Sequence, residues 1–172
     1  VGVAKTDAVE PARVTRFTKI RFDGQKVRLE YQVTRPRGGD PDEFVVCSSD
    51  LPLPTFNEAL QALVTDVCHI CEFPQSEAAK FAVRGVSLSY QDGELAAVIT
   101  ALRGLLTASS PLVINSPSLA ETARATDPVG FRLPPRTVLR LRTVICEAER
   151  YLQGERSQGS LFEQGEGKGV SL

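Results

Sequence analysis

Apolar and polar positions alternate from the start of the chain's organised part. Arg16 to Phe22 and Lys26 to Val33 run with a period of two, placing Val27, Leu29, Tyr31 and Val33 on one face and Lys26, Arg28, Glu30 and Gln32 on the other. A period of two is the signature of a strand with one buried face. Asp23-Gly24 between the two runs predicts a type I′ hairpin turn, which needs positive φ at both central residues. Arg35 to Asp42 carries Pro36, Gly38, Gly39 and Pro41 and reads as a loop, and Glu43 to Cys47 reads as a third strand. The period then changes. From Pro54 to about Cys71, Phe56, Leu60, Leu63, Val67 and Cys71 fall on one helical stripe, and Pro74 ends it.

The same plan follows a second time. Phe81 to Tyr90 and Glu94 to about Leu105 flank Asp92-Gly93, and Pro111 to Asn115 gives another short strand. Pro134 and Pro135 precede a helix to about Leu152, striped by Val138, Leu141, Ile145, Ala148 and Leu152. The two Asp-Gly pairs lie 69 residues apart, a repeat of pattern with little identity. The expected fold is α+β: two β-β-β-α pseudo-repeats, residues 14–73 and 81–153, in one domain spanning 14–153. Joining the two triplets into a single antiparallel sheet with both helices on its apolar face is one solution. Two small sheets packed through the helices is the other.

Residues 1–13 are expected to form a flexible arm, and 154–172, rich in Gly, Ser, Gln and Glu, a disordered tail. The chain has 172 residues, 42% of them hydrophobic, enough for a core without cross-links. No apolar run reaches the length of a membrane span and no secretory core precedes Pro11, so a cytoplasmic protein with reduced cysteines is expected.

Net charge is −1, but its placement is uneven. Arg13, Arg16, Lys19, Arg21, Lys26, Arg28, Arg35 and Arg37 face only Asp23 and Glu30 between Pro11 and Gly39. With Asp23-Gly24 as a two-residue turn, Arg21 lies opposite Lys26 and Lys19 opposite Arg28, so four cations share one hairpin face. Like charges opposed across strands repel, and a polyanion relieves the repulsion. Phe17 is placed on that face, where it would stack on a base. The competing reading is a solvated face whose cations guard a strand edge. A second cluster, Arg132, Arg136 and Arg140 with Arg142, lies at the start of the last helix, where the dipole favours anions. It is a candidate phosphate or carboxylate site, unless acids such as Glu121 or Asp127 pair with it.

Cys68-His69-Ile70-Cys71 has half of a zinc-site spacing, but it sits on the apolar helical stripe and no second pair exists. Small core hydrophobes are the better reading, and no metal or cofactor is expected. Glycine-rich phosphate loops, dinucleotide fingerprints and nucleophile elbows are absent from the sequence.

Gln158-Gly159-Ser160-Leu161-Phe162 resembles the bacterial sliding-clamp-binding motif. The resemblance implies that Gln158 bonds at the pocket edge, Ser160 sets the turn, and Leu161 and Phe162 fill the cleft. Gly159 departs from the larger apolar residue usual there, which lowers the affinity it implies. The same dipeptide docked on the protein's own surface is the alternative. Three stretches, Val83 to Tyr90, Ala97 to Leu102 and Pro111 to Pro117, together with Gly154 to Phe162, resemble a group of small phage and prophage proteins without assigned function. Members are encoded among replication and recombination genes. The resemblance implies an accessory protein of DNA replication or recombination rather than an enzyme, with DNA and host clamp as partners, and it supplies no catalytic residues. A protein-interaction or inhibitor module acting on a host factor is the alternative function, and a small metal-dependent enzyme the third. A homo-oligomer is compatible with all of these.

Overall fold

The computed structural model describes residues 13–122 and 131–157. Three strands, β1 (Thr15–Phe22), β2 (Val27–Val33) and β3 (Asp42–Ser48), precede two short helices, α1 (Pro54–Gln61) and α2 (Val64–Ile70). After a 3₁₀ turn at Gln75–Lys80 come β4 (Phe81–Gln91), β5 (Glu94–Arg103), β6 (Leu112–Asn115) and the two-residue β7 (Leu119–Ala120), then the long helix α3 (Pro135–Leu152). All strands join one antiparallel sheet in the order β3-β2-β1-β4-β5-β6, with β7 beside β5. The α+β fold and the single-sheet solution are thereby established. The junction is β1 against β4, with Ile20 opposite Val86, so each half is a meander and the halves are related by an approximate dyad through the sheet.

Both central strands carry a bulge. Pairing slips between Phe17 and Lys19 in β1 and between Val83 and Gly85 in β4, leaving Thr18 and Arg84 as the extra residues. A bulge reverses which face the following residues occupy. Phe17 therefore shares the core with Ile20 and Phe22, and Phe81 and Val83 share it with Val86 and Leu88. The row Val46–Leu29–Ile20–Val86–Ile99 crosses the sheet on the helix side.

Asp92-Gly93 forms the expected turn, with φ of 52° and 80° and Gln91 opposite Glu94. Asp23-Gly24 does not. The Asp23 carboxylate accepts the N–H groups of Gln25 and Lys26, both at 2.8 Å, and the turn centres on Gly24-Gln25 with Phe22 opposite Val27. The turn centre moves by one residue, so each cross-strand partner moves by two and the cations keep their face.

The helix expected over Pro54–Cys71 is divided. Leu63 N–H bonds to the carbonyl of Leu60, a tightened turn that separates α1 from α2. On α3 the buried face is Thr137, Leu141, Val144, Ala148 and Tyr151, about one position round from the expected stripe, whose Val138, Ile145 and Leu152 are half-buried. Two buried acids tie the helices together. Asp66 accepts from Thr137 (2.7 Å) and Arg140 (2.8 Å), and Glu147 accepts from Thr55 (2.9 Å) and Arg150 (3.0 Å).

The domain also extends past residue 153. Gly154, at φ +94°, reverses the chain after α3. Arg156 then forms an antiparallel bridge with Pro52, and Ser157 N–H bonds to Leu51 O at 2.9 Å. Arg156 stacks 4.2 Å from the Tyr151 ring centre and pairs with Asp50. The expected boundary at 153/154 is therefore corrected to a point no earlier than Ser157. Among the described residues no helix is long and apolar enough to cross a membrane.

Candidate nucleic-acid interface

The helices cover one face of the sheet, and the hairpin cations stand on the other. A row of cross-strand neighbours on that open face reads Cys47–Arg28–Arg21–Gly85–Thr100–Asn115. The next row reads Val45–Glu30–Lys19–Ser87–Val98. Positive charge is thus a ridge along β1 and β2, bordered on the β4 side by small neutral side chains.

Gly85 fixes the height of that ridge. A Cβ at this position would collide with the Ile20 carbonyl oxygen and lie 2.7 Å from Arg21 Cγ. The missing side chain lets β1 approach β4 closely and gives the Arg21 stem a floor to lie on.

The register shift rearranges the expected charge pairs. Arg21 faces Arg28 directly, and Lys19 faces Glu30. Glu30 accepts from Arg28 Nε at 2.9 Å and lies 3.7 Å from Lys19 Nζ. The Arg28 hydrogen bond, aided by Lys19's charge, holds the Glu30 carboxyl below its usual range. Lys19 and Arg28 are therefore partly neutralised from within the fold. Arg21 and Lys26 are exposed and have no acid within ion-pair distance among the described residues. Arg84, which the sequence reading did not include, joins them: a Cβ added to Gly24 would lie 3.9 Å from its guanidinium. The nearby acid Asp23 is held below its usual range first by the N–H groups of Lys26 and Gln25, with Arg84's charge contributing less.

Phe17 is a correction. It is fully buried, 5.7 Å from the Tyr31 ring, and offers no surface for a base. The bulge at Thr18 is the reason, because strict alternation from Lys19 would have put Phe17 outside.

The second cluster is divided by the fold. Arg140 is committed to buried Asp66, so its assignment to an external anion is also corrected: the carboxylate at the first turn of α3 is the protein's own. Arg142 pairs with Glu121 at 3.0 Å. Arg132 and Arg136 are exposed and unpaired among the described residues. Pro134 and Pro135 at the helix start carry no N–H, which removes donors that an anion would use.

Cys68 is fully buried in the core and Cys71 half-buried, and burial pushes both thiols up. His69, beside them, is exposed. Among the described residues no three His, Cys, Asp or Glu side chains converge as metal ligands would. The tail candidates Gln158, Ser160, Leu161 and Phe162 lie outside the described residues, as do 1–12 of the N-terminal arm. Compared with known proteins, the chain matches no family model, no curated protein and no solved structure.

Proposed function

We propose that the chain is a non-enzymatic, phage-type accessory protein of DNA replication or recombination that holds nucleic acid by its phosphates across the open face of the first hairpin. One observation carries the reading. Arg21 and Arg28 are direct cross-strand partners, and no acid pairs with Arg21, Lys26 or Arg84 among the described residues. Opposed like charges cost a hairpin stability, by about a few tenths of a kcal/mol, and a phosphate between them reverses the sign.

The two open-face rows contain no aromatic ring, since Phe17 lies in the core. Affinity then comes from charge rather than base stacking, with strong salt dependence and little sequence preference. The phage setting and the clamp contact through Gln158, Ser160, Leu161 and Phe162 rest on the sequence resemblance alone.

Fluorescence anisotropy with labelled duplex and single-stranded DNA tests the phosphate contact. Arg21→Ala with Lys26→Ala is expected to weaken binding about tenfold and to reduce the salt slope by about 2. Binding that is indifferent to salt, or to this double substitution, overturns it. For the tail, Leu161→Ala with Phe162→Ala is expected to abolish binding to purified bacterial clamp, and a wild-type chain that does not bind removes that half of the proposal.

A further inference from the structure

Among the described residues, one edge of the sheet is left open along its whole length. β3 runs seven residues, Asp42–Ser48, every one in unbroken register with β2. No described strand pairs with its other side. Its only charges are Asp42 and Glu43 at one end, and it has no Lys, Arg, Pro or bulge, the other devices by which edges are usually blunted. Phe44 and Val45 on it are 44% and 60% exposed. The opposite edge, β6, has only four residues.

We infer that β3 pairs antiparallel with β3 of a second copy of this chain, with Val45 on the dyad. The strand's charge distribution fits a copy of itself in this direction alone. The acids Asp42 and Glu43 stand at one end of the strand, and neutral Cys47 and Ser48 at the other. Antiparallel self-pairing about Val45 sets Asp42 opposite Ser48, Glu43 opposite Cys47, and Phe44 opposite Val46. Parallel pairing would stack carboxylate on carboxylate. Both acids are already held from behind, Asp42 by Arg35 at 2.5 Å and Glu43 by the Gln32 amide at 3.1 Å, so they leave the edge clear. An aromatic facing a β-branched residue is a favourable cross-strand pair.

The operation is one this fold already performs. A two-fold axis through the sheet relates the halves at β1–β4, and a second such axis at Val45 continues the sheet with every helix on the same side. The two basic ridges then share one face, their β1 strands about 24 Å apart at the usual strand spacing. The pairing holds whether or not the ridge binds DNA.

Analytical ultracentrifugation of the full chain, from about 5 to 100 μM, is expected to give the mass of a dimer. Val45→Lys places two ammonium groups at the dyad and is expected to halve that mass. The circular dichroism and melting temperature of the monomer should remain those of a folded chain, because position 45 faces solvent. In a Cys47→Ser, Cys146→Ser background, Val45→Cys should oxidise to a disulfide-linked dimer and Val113→Cys on β6 should not. A monomer across the whole range, a dimer that survives Val45→Lys, or crosslinking through residue 113 instead would each overturn the inference. So would a chain that dimerises only after residues 158–172 are removed, since those residues would then be the occupant of the edge.

Discussion

The side chain of Gln61 stands beside Val83 where a neighbouring strand would otherwise be. Its Oε1 accepts from Val83 N–H at 3.0 Å, and its Nε2 donates to Val83 C=O at 2.8 Å. β1 pairs with β4 only from Gly85 to Ser87, so Val83, one residue before the Arg84 bulge, has no strand on that side. Gln61 is also the last residue of α1, and the tightened turn after it brings the amide into place. Gln61→Leu is expected to cost about 2–3 kcal/mol, because it strands two backbone groups. Urea unfolding measures this, and a loss below about 0.5 kcal/mol would mean that water replaces the amide.

Gly85→Ala is expected to destabilise the fold by about 2–4 kcal/mol, since the new methyl meets backbone as well as the Arg21 stem. Ala at Gly38, where no atom lies within 4 Å of an added Cβ, carries only the strain of its positive φ. Comparing the two by thermal unfolding separates steric crowding at the β1–β4 junction from backbone strain.

Asp66→Ala removes the acceptor shared by Thr137 and Arg140. The expected loss is about 3 kcal/mol, or roughly 6–12 °C in Tm, because a half-buried guanidinium is left without its partner. Asp66→Ala with Arg140→Met should recover part of that loss. If the double variant is no more stable than the single one, the unpaired cation is not the source of the cost.

Glu30 links pH to the basic ridge. Its carboxyl is depressed in the folded protein, so its pair with Arg28 contributes stability above the ordinary value of 4.5 and loses it as pH falls through the lower folded-state value. The same protonation frees Arg28 and Lys19. DNA binding is therefore expected to tighten as pH falls through that lowered value, and Glu30→Gln should tighten it about threefold at neutral pH while flattening that acid dependence. Anisotropy at several pH values is the measurement, and an acid-strengthened affinity that persists in Glu30→Gln would point to a different carboxyl.

The parts of this fold that the sequence made legible are those governed by neighbours along the chain. Asp92-Gly93, with nothing to compete for its backbone, forms the turn its residue types favour. At Asp23-Gly24 the same dipeptide yields to a carboxylate that captures the next two N–H groups, and the displacement exchanges which cations face each other. The bulges were written in the sequence as a spacing of three, Phe17 to Ile20 and Val83 to Val86, inside strands otherwise of period two. Following that spacing would have buried Phe17 and drawn notice to Arg84. The Arg140–Asp66 pair was not legible, because 74 residues separate partners that only tertiary packing brings together.

The bridge between Arg156 and Pro52 has a mechanical consequence. Tension applied beyond Ser157 reaches the hydrogen bonds to Leu51 and Pro52 and the Arg156–Asp50 pair before it reaches the last helix. That patch acts as a strain relief at the point where the cord leaves the body, and a load on the closing residues is passed to the link between β3 and α1 instead of unwinding α3.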